Sequence, residues 1–162
     1  MDKLTQQTAS IDANLKVLTK ILEDPKGKKS KSVQISADFS MGTLRDTAWK
    51  TAQATGALAF MPYADAQRYA DVYGLQQDCL SQQNKILEDE AQFLGVLAKT
   101  NFDHGDVTPE QASAALERFG VWRAHLGYLT LMAKATALND KAFLEGKEGP
   151  HELHEGIGGS GK

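Results

Sequence analysis

One cysteine, Cys79, is all that a chain of 162 residues contains. A single thiol excludes an internal disulfide and any multi-cysteine metal cluster. It suits a reducing compartment without requiring one. Basic charge is also scarce: 18 lysines and arginines stand against 21 acidic residues, for a formal net charge of -3. Nucleic-acid binders usually carry a basic footprint, so that partner is not expected. Long apolar runs are missing too. Nothing approaches the roughly 20 apolar residues that a membrane-spanning helix needs. Polar residues follow Met1-Asp2-Lys3-Leu4, where a signal peptide would place an apolar block. Strand alternation is nearly absent as well. Its nearest instance is "SVQIS", 32–36, and one isolated strand has no partner.

What the chain does have is helical periodicity. Leu4, Thr8, Ile11, Leu15, Leu18 and Leu22 step by four and three, which draws one apolar stripe on a helix over Asp2 to Glu23. No capping residue precedes it, so the helix is expected to continue from upstream. Pro25 and Gly27 end it. A polar connector follows, in which Lys26, Lys28, Lys29 and Lys31 suit either a solvated loop or an anionic lipid surface. A short helix is predicted over about 42–55, with Asp38, Ser40 or Thr43 as candidate caps and Gly56 as the left-handed stop.

The third helix is predicted from Pro62 to about Lys99, on the order of 55 Å at 1.5 Å per residue. One stripe runs through Tyr69, Tyr73, Gln76, Leu80, Gln83, Leu87, Ala91 and Leu94. A second, Val72, Leu75, Cys79, Ile86, Phe93 and Val96, lies beside it. Two adjoining stripes predict more than one packing partner. The glutamines on the first stripe are placed to hydrogen-bond across the bundle or to mark where it opens. Thr108 and Gln111 fit a capping box with Pro109 at the first helical position. From there Ala112, Ala115, Phe119, Trp122, Leu126, Leu129, Ala133 and Thr136 carry a stripe to about Leu144. The fold class is therefore all-α: an up-and-down bundle of about four helices, three long and one short, with a long antiparallel hairpin. The bundle domain is expected over 1–144. A flexible Gly-rich tail is expected over 145–162.

Chemical motifs are few. "GIGGSGK", Gly156 to Lys162, matches part of a phosphate-binding loop but lacks the preceding strand and following helix. "HELHE", His151 to Glu155, spaces its histidines three apart where a helical zinc motif needs four. "NFDHGDVTPEQ", Asn101 to Gln111, has neither the glycine nor the glutamate of a calcium loop in register. Glu148 and His151 form one Glu-x-x-His step, whereas a di-iron bundle needs two on facing helices. Cys79 on an apolar stripe reads as a buried, inert thiol. His125 beside Trp122 reads as a structural or surface residue. No catalytic residue, metal site or cofactor is expected. The candidate ligand-binding set is aromatic: Trp49, Phe60, Tyr63, Tyr69 and Tyr73, with Arg68 or Arg45 for charge. Such residues line small-molecule pockets, and equally form core with a hydroxyl at the rim. Ala57, Leu58, Phe60 and Met61 are expected to plug one end of the bundle.

The segment 44–77, "LRDTAWKTAQATGALAFMPYADAQRYADVYGLQQ", resembles uncharacterised bacterial membrane-anchored helical proteins. Those place a tryptophan helix before a "TGAL..M" element and a tyrosine-bearing helix. Trp49, Ala52, Thr55, Gly56, Ala57, Leu58, Met61, Tyr69 and Tyr73 carry the resemblance, which covers Leu15 to Gln83. It implies an upstream hydrophobic anchor and a place on the periplasmic face of an inner membrane. It supplies no catalytic residues. With the motif survey, it leads us to expect a non-enzymatic helical interaction or sensor-like module that binds a protein partner or itself. The alternatives are a small-molecule binder or enzyme with an aromatic pocket near Trp49 and Tyr69, and a lipid-surface module built on the connector lysines.

Overall fold

A computed structural model describes residues 2–23, 42, 45–100, 107–147 and 149, and everything below refers to these. They form α1 (Asp2–Glu23), α2 (Thr47–Ala54), a 3₁₀ turn (Ala57–Phe60), α3 (Tyr63–Leu97) and α4 (Pro109–Leu144). Among the described residues no strand forms, and the fold is an all-α helical bundle. The connector lysines, the candidate caps Asp38, Ser40 and Thr43, the 101–106 turn, and the "HELHE" and "GIGGSGK" motifs lie outside the described residues.

The helix ends follow from local chemistry. At α4 the Thr108 N–H donates to Gln111 Oε1 at 2.9 Å, and the Gln111 N–H donates to Thr108 Oγ1 at 3.3 Å. That is the reciprocal capping box, which satisfies two amides that no helical carbonyl can reach. Gly56, at φ 69°, stops α2 in the left-handed conformation. Pro62 sits one residue earlier than expected: its carbonyl accepts the Asp65 and Ala66 amides, so it precedes the first turn of α3. α2 is shorter than expected. Asp46 stands at its N-cap without a side-chain capping bond, because its carboxylate is taken by Lys50 at 2.7 Å and by the Gln77 amide at 2.5 Å. These contacts, led by Lys50, hold the Asp46 carboxyl below the usual range. The chain past α4 begins in an ordered cap. Gly146 takes φ 69°, its N–H donates to the Phe143 carbonyl, and the Lys147 N–H donates to Ala142 at 2.8 Å. This is a Schellman cap where the sequence predicted the start of a flexible tail.

The chain divides into two compact units. The first draws on residues 1–41 and 82–128, so it holds α1, the second part of α3 and the first part of α4. Its core takes Leu4, Ile11 and Leu18 from α1, Ile86 and Phe93 from α3, and Phe119, Trp122 and Leu126 from α4. The ring centroids of Phe93 and Phe119 lie 3.8 Å apart, and Trp122 stacks on Phe119 at 5.8 Å. Pairs of this kind contribute about 0.5–1.5 kcal/mol beyond the area they bury. The Trp122 Nε1–H is buried with no hydrogen-bond partner among the described residues, a local cost of about 1–3 kcal/mol. Arg123 ties α4 to α1 through Asp12, with Nε 2.7 Å from Oδ1.

The second unit, residues 42–81 and 129–162, holds α2, the 3₁₀ turn, the first part of α3 and the second part of α4. Cys79, Leu129, Met132 and Thr136 are buried in it. Gln76 Nε2 donates to Asp140 Oδ1 at 3.3 Å, so the stripe glutamine does bond from α3 to α4. In each unit, rising positions on α3 meet falling positions on α4, as in an antiparallel hairpin. The two α3 stripes have different fates in the first unit. Ile86 and Phe93 are buried, while Leu87, Ala91 and Leu94 are exposed.

Phe93→Ala is expected to cost about 3–5 kcal/mol by urea unfolding, from lost burial and a residual cavity. Thr108→Ala should cost about 1 kcal/mol, the loss of one cap. Equal effects of the two would contradict this core assignment.

Candidate functional site

The second unit brings some of the candidate aromatic residues together and leaves others apart. Trp49 of α2 stacks on Tyr73 of α3, with centroids 4.9 Å apart and planes 9° from parallel. Four residues earlier, one helical turn along α3, Tyr69 meets Phe143 of α4 edge-on at 4.8 Å. Arg68 lies over the same Phe143 ring at 5.2 Å and donates from Nη2 to the Phe143 and Lys147 carbonyls at 3.4 and 3.5 Å. A cation at a helix C-terminus satisfies the last carbonyls and complements the negative end of the helix dipole. Arg68 is thus engaged in closing α4. Arg45 is exposed.

Phe60 and Tyr63 do not join this cluster. They are 91% and 82% exposed. The expected plug of the bundle end is therefore corrected. No residue of the 3₁₀ turn Ala57–Phe60 is buried, and Leu58 and Met61 are only half-buried. Gly56 sets the reason. Its left-handed turn is followed by one tight 3₁₀ turn, in which the Met61 amide bonds the Leu58 carbonyl. In so short a segment neighbouring side chains fan outward, and they cannot all face one core.

The first unit holds a polar constellation that periodicity did not announce. Asp89 of α3 is almost completely buried, and its Oδ2 lies 2.5 Å from His125 Nδ1 on α4. One turn away Gln82 Nε2 donates to the His125 carbonyl at 3.3 Å. An Nδ1–H held by a carboxylate fixes the imidazole's orientation and leaves Nε2 as its other nitrogen. In catalytic triads the same arrangement orients a base. Here it is an Asp–His pair joining two helices, with the ring one-third exposed. Asp89 sits in the acidic run "EDE" (88–90), which reads as solvated. Its spacing of three from Ile86 and four from Phe93 was the available signal, because both neighbours lie on the buried stripe. Among the described residues, no group of three or more His, Cys, Asp or Glu side chains could hold a metal ion.

Cys79 is buried in the second unit, and burial pushes its thiol up from an ordinary value of 9.0. Folding then favours the neutral thiol. That preference is fully present below the unfolded value and is lost as the pH rises through the alkaline range. An aromatic disulfide reagent is expected to label native Cys79 slowly and to accelerate as denaturant opens the fold. Rapid labelling of the native protein would contradict the assignment.

His125→Leu is expected to destabilise by about 3–5 kcal/mol, since it strands a buried carboxylate. The Asp89→Leu/His125→Leu double variant should recover most of that loss in urea unfolding, and failure to do so would mean that the pair is not a closed unit. The chain matches no protein-family model, no curated protein and no solved structure.

Proposed function

We propose that this protein is a non-enzymatic helical interaction module, which works through apolar helix surface left outside its own core. One observation carries the reading: α4 is apolar on both of its faces. Its inner stripe, from Ala112 to Leu129, is buried. On the opposite side Val121, Tyr128 and Leu138 remain 41%, 49% and 58% exposed. Singly exposed apolar residues are ordinary, but a second stripe along one helix is a surface that gains from being covered. Leu87 and Leu94 on α3, and Phe60 before it, add exposed apolar side chains of the same kind.

The site chemistry supports the same side of the choice. Arg68, Tyr69, Trp49 and Tyr73 are engaged with each other or with Phe143, and Asp89 with His125. No described helix is long and apolar enough to cross a membrane. The tether and the periplasmic location implied by the resemblance remain part of the proposal. They rest on an apolar stretch of about 20 residues being encoded before Met1.

A photo-crosslinking residue placed at Val121 or Leu138, in cells that make the protein, should yield a discrete higher-mass adduct. The same residue at Asp71 or Asp78, on exposed polar positions, should not. Adducts from neither apolar position, or equally from all four, would overturn the reading.

A further inference from the structure

α2 is the least secured helix of the second unit. It has eight residues, Thr47 to Ala54, and none of them is buried. Isolated helices shorter than about 12–15 residues are marginal in water, so α2 depends on contacts outside itself. Its start adds no hold, because Asp46 makes no side-chain capping bond. Among the described residues two contacts join this segment to α3. The Trp49 indole stacks on the Tyr73 ring at 4.9 Å, and the Gln77 amide donates to the Asp46 carboxylate. Tyr73 and Gln77 are neighbours one helical turn apart, so both contacts fall on one short strip of α3.

The chain after α2 does not anchor it either. Gly56 stands at φ 69°, a region that glycine enters and leaves without steric cost. The 3₁₀ turn Ala57–Phe60 buries no residue. The rest of the unit is joined by other means. The Gln76 bond to Asp140 and the contact of Tyr69 with Phe143 tie α3 to α4 directly, without α2. Cys79 of α3 and Leu129, Met132 and Thr136 of α4 are buried. Separation of α2 also strands no buried polar group. Asp46 has Lys50 as a second partner at 2.7 Å, and Gln77 is an exposed residue whose amide can turn to water.

We infer that α2 is a detachable strap: it lifts from α3 about Gly56 while α3 and α4 of this unit stay packed, and in lifting it bares the Tyr73 ring. Closed, the strap withholds an aromatic face and an amide, one turn apart, from other molecules. Open, it offers them. The device uses none of the exposed side chains on which the proposed function rests, and it stands or falls independently of that reading.

Native-state hydrogen exchange of the full chain tests it, read residue by residue at urea concentrations below the unfolding transition. The Lys50 and Thr55 amides, which bond the Asp46 and Thr51 carbonyls, report α2. They are expected to exchange about a hundredfold faster than the amides of Cys79 and Met132, and with little dependence on urea, as local openings do. Tyr73→Ala removes the stack and should speed exchange at Lys50 and Thr55 about fivefold. Tyr73→Phe keeps the ring and should not. Gln77→Ala, at an exposed position, should speed the same two amides and leave Met132 unchanged. Exchange at Lys50 and Thr55 that is as slow as at Met132, with the same response to urea, would mean that α2 opens only with the whole unit, and overturns the strap. Acceleration of Met132 by Gln77→Ala to the same degree as Lys50 overturns it too. So does exchange in α2 that neither Tyr73→Ala nor Gln77→Ala alters.

Discussion

The antiparallel contact between α3 and α4 is the constraint on which the other features depend. It is a seam of unlike layers. Phe93, Phe119 and Trp122 supply dispersion and buried area in the first unit. Asp89 with His125, and Gln82 with the His125 carbonyl, supply direction. In the second unit Gln76 with Asp140, and Tyr69 with Phe143, repeat the alternation. Apolar layers tolerate sliding by a helical turn at modest cost. A buried carboxylate that must meet one imidazole does not, because a slipped register strands a charge. The polar layers therefore specify which residues meet, and the aromatic layers make the meeting favourable.

A long hairpin cannot bury all of two such helices by itself, and each unit adds its own third element. α1 brings Leu4, Ile11 and Leu18 to the first, and α2 brings Trp49 to Tyr73 in the second. Coverage stops short of the outer side of α4. Its apolar content exceeds what a core-facing stripe requires, which distinguishes it from α1, whose opposite side is polar at Lys3, Gln6, Lys16 and Lys20. That exposed apolar surface is what the proposed interaction would cover.

Much of the architecture was legible in the chain. The stripe from Leu4 to Leu22, the Thr108–Gln111 box and the left-handed Gly56 are local signals, each decided within a few residues, and each appears in place. What was not legible depends on tertiary choice. Two stripes on α3 are equivalent as patterns, and only packing selects Ile86 and Phe93 over Leu87 and Leu94. Asp89 lies within an acidic triplet, and its burial follows from a histidine 36 positions away. Phe60 was expected inside because it is aromatic and follows a helix stop, but a single 3₁₀ turn gave it no inward direction. Gly146 was available as a cap signal, since a glycine just past the last periodic residue commonly takes that role. It was hidden by the other glycines of the tail. Among the candidate site residues the pairings of Trp49 with Tyr73, and of Arg68 and Tyr69 with Phe143, show why an aromatic cluster alone does not define a pocket. Phe143 carries no signal of its own in the sequence, being one apolar residue near a helix end.

The α3–α4 register stands most directly on the bond between Asp89 and His125, and the His125 ring reports it. A proton–nitrogen correlation spectrum of the native protein reads the imidazole Nδ1–H, with Asp89→Leu as its control. A carboxylate accepting from Nδ1 predicts a downfield Nδ1–H resonance that is lost in Asp89→Leu. A native spectrum without that resonance, or one that Asp89→Leu leaves unchanged, would contradict the account.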